Sequence, residues 1–139
     1  MFKTIFTQAA LVHFILYFIV GVGMTWLFSR LYIYMTPHNE LKEIESGKVA
    51  PSISLFGASL GFAFPLFSAA LHAAHLVEFI VWGMLAGLIQ VAVFWSYYYT
   101  HRAAWESMFR ESNANVAQAL HYAGICVIIG LFNAAALVP

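Results

Sequence analysis

His72, His75 and Glu78 recur at every third residue in a short polar stretch between two long apolar segments. On a continuous helix, side chains three residues apart lie on one face. Imidazole and carboxylate groups are ligands that zinc and other divalent ions accept. The favoured interpretation is that the three side chains lie in a solvated turn. The alternative is a metal site at the outer membrane surface, which His13 could join.

His13 and His121 suggest a second chemistry, because four-helix bundles can hold haem between paired histidines. His13 lies near the start of the first apolar segment and His121 near the start of the fourth. We expect them at opposite membrane faces, so they cannot ligate one iron. A haem would need His13 with His72 or His75. A metal- or haem-binding redox protein is therefore the alternative function, whereas the favoured function requires no cofactor.

Polar side chains also occur within the apolar segments, where they are costly unless they face protein or water. Four of them could line a polar pathway: Gln90, Asn115, His121 and Asn133. Glu78 would attract cations to its entrance. The favoured interpretation is that they form interhelical hydrogen bonds that fix packing. No Ser-His-Asp set, phosphate-binding loop or close carboxylate pair is visible, so we do not predict an enzyme.

The composition places these residues in a membrane protein. Of 139 residues, 63% are hydrophobic and 9% are charged, and the mean hydropathy is +0.82. Soluble domains carry about 25% charged residues. The net charge of zero gives no electrostatic basis for nucleic acid as a partner. The single Cys126 cannot form an internal disulfide.

Four uncharged apolar segments are each long enough to cross a bilayer core of about 30 Å as a helix. They run from about Gln8 to Ser29, from Val49 to Leu71, from about Phe79 to Tyr99 and from about Asn115 to Val138. The first has no small-residue cleavage site before Arg30, so we interpret it as a retained span. The expected fold is all-α and integral to the membrane.

The connections predict the orientation of the spans. The first and third connections contain Lys and Arg, and the second contains neither; these residues are Arg30, Lys42, Lys48, Arg102 and Arg110. The positive-inside rule places both basic connections in the cytoplasm and both termini outside. Lys3 opposes this assignment with a single charge.

Both basic connections are expected to contain a short interfacial helix. In the first, Thr36 is the expected N-cap, Pro37 a first-turn residue and Gly47 the stop. The apolar edges would be formed by Leu41 and Ile44 in the first connection and by Trp105, Met108 and Phe109 in the third. The side chains expected to face water are Glu40, Lys42, Glu43 and Glu45.

Glycines at every fourth residue indicate close packing of two spans. Gly57 and Gly61 lie in the second segment, and Gly83 and Gly87 lie in the third. This spacing lets membrane helices approach closely. We expect the second and third spans to pack together as a hairpin.

The chain also matches itself when it is shifted by about 67 positions. The segment from Gly47 to Ala50 then falls on the segment from Ala114 to Ala117. Each half would consist of a span, a surface helix and a second span. The prediction is one membrane domain of two parallel repeats, residues 1–74 and 75–139.

Three stretches carry a family resemblance: GKVAPSISLFGASLGFAFPLFSAALH, VWGMLAGLIQ and NANVAQALHYAGICVIIGLFNAAAL. They are similar to the bacterial domain-of-unknown-function 350 family of small inner-membrane proteins, as are Thr36, Pro37 and Glu40. The family's Gly-Asn-Val-Ala entry to the second and fourth spans differs here at Lys48 and Ala114. The resemblance implies four spans in the bacterial inner membrane and supplies no catalytic residues.

Four short helices rich in small and aromatic residues enclose little interior and leave much surface for neighbours. We therefore expect a non-enzymatic homo-oligomer in the lipid bilayer. It would act either as a conduit for ions or small solutes or as a scaffold that recruits a cytoplasmic protein.

Overall fold

The protein is described by a computed structural model over residues 8–110 and 115–137. In these ranges the helices are α1 (Gln8–Met35), α2 (Glu40–Glu45), α3 (Val49–His72), α4 (Leu76–Thr100), α5 (Arg102–Ser107) and α6 (Val116–Ala136). Four of them, α1, α3, α4 and α6, are long and apolar enough to cross a membrane. The predicted all-α fold with four spans is confirmed. Lys3, Ala114 and the predicted end at Val138 lie outside the described residues.

The first span is longer than predicted. Helix α1 continues beyond Ser29 to Met35, and Tyr32 in this added turn is buried against the other helices. Arg30 remains helical, with its guanidinium carbon 5.4 Å from the centre of the Trp26 ring. A cation held over an aromatic face can stay on an apolar helix, so the charge does not end the span.

The third span begins earlier than predicted, at Leu76 and not at Phe79. The Glu78 carboxylate accepts a hydrogen bond of 2.8 Å from the backbone N–H of Ala74, just before the helix. An acidic side chain in the first turn also interacts favourably with the helix dipole. Glu78 therefore lies inside the helix that it was predicted to precede.

Helices α3 and α6 form the most extensive contact in the bundle. They run in the same direction, since Gly57 lies against Ala123 near their starts and Ser68 contacts Ala134 near their ends. The Ser68 hydroxyl donates to the Ala134 carbonyl at 2.8 Å. The two helices are thus parallel along their whole length.

Helices α1 and α4 form the second parallel pair. Tyr17 stacks on Phe79 with ring centres 5.2 Å apart, and Tyr32 meets Phe94 edge-on at 5.4 Å. The α3–α4 turn is therefore at one end of the bundle, which we call the turn end. The connections that contain α2 and α5 lie together at the other end, the cap end.

The closest approach in the bundle is between α3 and α6, and Gly57 and Gly61 lie at this contact. Helices α3 and α4 also pack together, less extensively. A Cβ atom at Gly57 would overlap Ala123, and one at Gly61 would overlap the Cys126 carbonyl. From the other side, a Cβ at Gly130 would overlap the Gly61 backbone. Helix α6 presents small residues opposite both glycines, which allows backbones to touch.

The glycines of α4 serve a different contact. A Cβ at Gly83 would meet the side chains of Met24 on α1 and Leu66 on α3. A Cβ at Gly87 would lie 3.4 Å from the Phe62 ring. These two glycines therefore make room for large side chains of neighbouring helices. The atoms nearest to a Cβ at either position belong to side chains and not to another backbone.

The short helix α2 begins later than predicted. Its N-cap is Asn39, whose side chain accepts from the Lys42 N–H at 3.3 Å. Thr36 belongs to the end of α1, because its hydroxyl donates to the Ile33 carbonyl at 2.9 Å. The predicted stop at Gly47 is confirmed: its φ of 89° is in the left-handed region that glycine favours.

The third connection is folded into the bundle and does not present its apolar edge to the bilayer. Trp105 and Met108 have no exposed surface, and Phe109 is 7% exposed. Lys48 joins the two connections by donating to the Phe109 carbonyl at 3.3 Å while it pairs with Glu43. We call this joined structure, residues 36–48 and 101–110, the cap.

The repeat remains a prediction. Helices α3 and α6 begin at Val49 and Val116, which the shift of about 67 positions aligns. Helices α2 and α5 do not occupy matching positions. Helices α3 and α6, which make the most extensive contact, belong to different halves of the division at residue 74. The two halves therefore pack as one bundle.

Gly130→Ala is expected to lower the free energy of unfolding by about 1–3 kcal/mol, the usual cost of overpacking a filled interior. The new methyl group would overlap the Gly61 backbone. Gly124→Ala is the matched control on the same helix, because a Cβ there meets no atom within 4 Å. Thermal unfolding of both variants in one detergent measures the difference. Equal stability of the two variants would contradict the α3–α6 contact.

Candidate functional site

The structure does not bring His72, His75 and Glu78 together as a metal site. His72 and Glu78 line one cavity of about 270 Å³ at the turn end, and His75 does not line it. The His72 Nδ1 lies 2.8 Å from the Ser68 carbonyl oxygen, and the Glu78 carboxylate is occupied at the start of α4. In the described part of the chain, no three His, Cys, Asp or Glu side chains are placed to hold a metal ion.

The two candidate haem histidines lie at opposite ends of the bundle, as expected. His13 stacks on Tyr17 of its own helix, with ring centres 4.1 Å apart. At the cap end, the His121 Nδ1 is 3.2 Å from the Tyr97 hydroxyl. The two imidazoles cannot ligate one iron.

The four residues of the predicted polar pathway are also separated. Asn115 caps α6 by accepting from the Gln118 N–H at 3.0 Å, and His121 is exposed. Asn133 has a buried Nδ2 without a hydrogen-bond partner among the described residues. Gln90 is the member of this set that lies in the core, 2% exposed. Hydrogen bonds within the described residues join no two of the four.

Gln90 supplies a hydrogen bond that Pro65 removes from α3. Proline has no N–H, so the carbonyl four residues earlier, that of Gly61, loses its partner within the helix. The Gln90 Nε2 donates to this carbonyl at 2.9 Å and lies 3.3 Å from the Cys126 carbonyl. An unpaired carbonyl is costly in lipid. The Gln90 side chain of α4 therefore provides the missing hydrogen bond to α3 and contacts α6 at the same level.

Buried polar side chains continue from Gln90 toward the cap. We call this set the buried polar row; each member is at most 2% exposed, and the members are Glu40, Tyr32, Ser54, Tyr122, Cys126 and Gln90. The Tyr32 and Ser54 hydroxyl oxygens are 3.2 Å apart. Tyr122 and Cys126 lie next to Tyr32, and the Cys126 carbonyl contacts Gln90. The row joins the cap to the middle of the bundle.

Glu40 is the acidic group at the cap end of this row, and the prediction that it faces water was wrong. Its side chain has no exposed surface, and neither carboxyl oxygen has a partner in hydrogen-bonding geometry among the described residues. Burial raises the pKa of Glu40 from 4.5 to about 8, and the nearby Tyr32 and Ser54 hydroxyls lower it by a smaller amount. The carboxyl group is therefore mostly protonated at neutral pH.

Helical periodicity could have placed Glu40 correctly. Residues four positions apart lie on one face of a helix, so Glu40 shares a face with Ile44. Ile44 and Leu41 are half-buried against the bundle. The acidic composition of α2 instead suggested a fully solvated helix, so the shared face of Glu40 and Ile44 was not used to predict burial.

Several polar atoms of the row have no partner among the described residues. They are both carboxyl oxygens of Glu40, the Gln90 Oε1 and the Tyr122 hydroxyl. The Trp105 Nε1, on a ring 5.1 Å from that of Tyr122, is also unpaired. Buried polar groups are normally paired with protein or with buried water. The row therefore has hydrogen-bonding capacity that the described residues leave unused.

The comparisons with known proteins place the chain in a family of membrane proteins. It belongs to the family described as Domain of Unknown Function (DUF350), which matches residues 6–137. It is 34% identical over 128 residues to the UPF0719 inner membrane protein YjfL of Escherichia coli strain K12, covering 92% of this chain and 95% of the relative. The YjfL protein of Escherichia coli O157:H7 matches equally well. No solved structure matches the chain.

Gln90→Leu is expected to destabilise the bundle by about 1–3 kcal/mol, because it leaves the Gly61 carbonyl without a donor in a buried site. Pro65→Ala returns an N–H to that carbonyl. In the Pro65→Ala background, Gln90→Leu should therefore cost clearly less. Unfolding of the four proteins of this double-mutant cycle tests the relation. Equal costs in both backgrounds would show that Gln90 does not compensate for Pro65.

Proposed function

We propose that this DUF350 protein is a non-enzymatic inner-membrane protein that works as an assembly of several copies and conducts protons along the buried polar row. The observation that carries the proposal is the complete burial of the unpaired Glu40 carboxyl group at the cap end of the row. The assignment to the inner membrane follows the name of the YjfL relative.

A buried acid with a pKa of about 8 suits proton transfer. Such a group takes up and releases protons close to neutral pH, whereas an ordinary glutamate remains charged there. Ionisable groups held in the interior of membrane proteins commonly belong to proton or ion pathways. The hydroxyl groups of Tyr32 and Ser54 next to Glu40, and that of Tyr122 behind Tyr32, can both donate and accept hydrogen bonds.

The packing favours a proton over a larger solute. Halfway along the bundle, the Gly61 and Gly130 backbones touch, and Gln90 closes the same level from α4. No solute of ordinary size fits between backbones in contact. A proton needs only donors and acceptors with water between them, and polar groups resume toward the turn end at Ser68 and Asn133.

The surface of α1 supports an assembly of copies. Only 6% of the residues in its most apolar stretch are buried within one chain. A groove of about 540 Å³ between α1, α3 and α4 is open beside it, with Gly21 and Thr25 on one wall and Ala63 on the other. Small residues of this kind permit close helix contacts in membranes. The five basic residues of the cap end favour its cytoplasmic location.

A scaffold function is the second candidate, and the construction of the cap favours it. The cap is fastened across its two connections, as His38 stacks on Phe109 at 4.3 Å and its Nε2 lies 3.4 Å from the Glu106 carboxylate. Such a surface is formed before any partner binds, which lowers the entropic cost of binding. A scaffold requires no proton movement, so flux measurements separate the two functions.

Glu40→Gln is expected to reduce proton flux at least about tenfold in liposomes that carry a pH gradient, because the amide cannot release a proton near neutral pH. Glu45→Gln is the matched control, since Glu45 is exposed on the same short helix. A pH-sensitive dye inside the vesicles reports the flux. Wild-type flux no greater than that of empty vesicles would leave the scaffold as the better function.

Native mass spectrometry from a mild detergent is expected to give one discrete oligomer without added mass. Burial of the exposed α1 surface between copies is the reason to expect a defined number of chains. The measurement reports retained ligands at the same time. A monomer that carries the mass of haem or metal would favour the redox alternative.

A further inference from the structure

The position of Glu40 links the cap to the bundle interior. Glu40 is the first residue of α2, and α2 packs on α3. Its side chain points from α2 into the bundle, and the carboxyl group lies beside the Tyr32 and Ser54 hydroxyls. Docking of α2 therefore requires this carboxyl group to leave water.

We infer that Glu40 is a proton-binding site that controls the cap: α2 is docked while the carboxyl group is protonated, and it leaves the bundle when the group is ionised. The inference rests on the proposed function only in one respect, that the proton released here enters or leaves the buried polar row. Proton binding and docking are measured without flux.

Ionisation of docked Glu40 is unfavourable because no cation among the described residues is paired with it. Lys42, two residues along the chain, is exposed, and Lys48 is already paired with Glu43 and with the Phe109 carbonyl. A buried charge without a partner is strongly destabilising. Exposure of Glu40 by release of α2 removes this cost.

The side chains that contact Glu40 are neutral hydroxyls. Helix α1 contributes Tyr32 and helix α3 contributes Ser54, and Tyr122 and Cys126 of α6 lie behind Tyr32. On the outer side, His38 faces Glu106 of α5. The other charged groups of α2 are the paired Glu43 and the exposed Lys42 and Glu45. Of these, the His38 imidazole is the neighbouring group whose effect must be separated from that of Glu40 in an experiment.

The direction of the pH effect follows from the pKa in the two states. The docked carboxyl has a pKa of about 8, and an exposed glutamate has the ordinary value of 4.5. The docked state therefore binds a proton that the released state has lost. Between these two values, the ratio of docked to released α2 falls about tenfold for each unit of pH. The ratio is constant below 4.5 and again above about 8.

This relation gives the cap a defined response. A rise of pH on the cap side favours release of α2 and opens the Glu40 end of the row to water. A fall of pH returns the proton to Glu40 and closes the cap. The site would thus limit proton movement to conditions in which the compartment on its own side is alkaline.

The first test is an infrared titration of the full-length protein in lipid nanodiscs. A protonated carboxyl group has a C=O stretch that its carboxylate lacks, so the spectrum reports Glu40 directly. We expect a protonated carboxyl at neutral pH that is lost with a midpoint near 8, that is absent from Glu40→Gln and that is retained in Glu45→Gln and His38→Gln. A wild-type protein with no protonated carboxyl at pH 7 would overturn the inference, whatever the variants do.

The second test is amide hydrogen exchange of residues 40–45, corrected for the intrinsic effect of pH on exchange. Protection of α2 should fall with rising pH in the wild type and in Glu45→Gln, and should be independent of pH in Glu40→Gln. The same pH dependence in Glu40→Gln would overturn the inference. Loss of the pH dependence in His38→Gln with Glu40 intact would also overturn it, because His38 would then be the controlling group.

The two proposals can fail separately. If Glu40 titrates near 8 and α2 responds, but liposomes show no proton flux, the conduit is wrong and the proton-controlled cap stands. If flux is present but Glu40 is ionised at neutral pH, the conduit stands and this inference is wrong.

Discussion

The bundle depends on a carbonyl group in the middle of the membrane that cannot find a partner in its own helix. Pro65 deprives the Gly61 carbonyl of its helical hydrogen bond, and lipid offers no replacement. Gln90 supplies the donor at 2.9 Å, while Gly130 brings the α6 backbone against the same carbonyl. The need to pair the Gly61 carbonyl therefore brings three of the four spans, α3, α4 and α6, together at one level. The close approach of α3 and α6 depends on Gly61 and Gly130, because a Cβ atom at either position would overlap the backbone of the other helix.

The cap end of the bundle is filled with buried aromatic rings: Tyr32, Phe94, Tyr97, Trp105 and Tyr122. Tyrosine and tryptophan bring polar atoms with them. The Tyr32 hydroxyl, together with that of Ser54, forms the polar surroundings into which Glu40 is buried. Part of the buried polar row therefore consists of the polar tips of aromatic residues that fill the cap end.

Length and composition were sufficient to predict the four spans, because a membrane imposes a minimum apolar length and forbids charge. The glycine spacing indicated close packing, but it could not identify the partner, since that depends on Ala123 and Gly130 in a helix more than 60 residues away. Gln90 was recognisable as a polar residue within a span, whereas its role required the recognition that Pro65 frees a specific carbonyl. Glu40 was missed because charged residues in a short connection are usually solvated, and only the half-buried Ile44 on the same face indicates otherwise.

The burial of Glu40 is difficult to explain as a structural device. With a pKa of about 8 in the docked state, docking of the cap weakens by about 3 kcal/mol as the pH rises from 4.5 to 7. The reason is that the docked carboxyl must bind a proton that becomes scarcer in the surrounding water. A glutamine would fill nearly the same volume without this cost, and its amide could donate to the Tyr32 or Ser54 oxygen. The cap is already fastened by Lys48, His38 and the buried Trp105, so it does not need a carboxyl for adhesion. A group that weakens the fold where a neutral one would strengthen it is best understood by the property that only the acid has, which is the exchange of a proton.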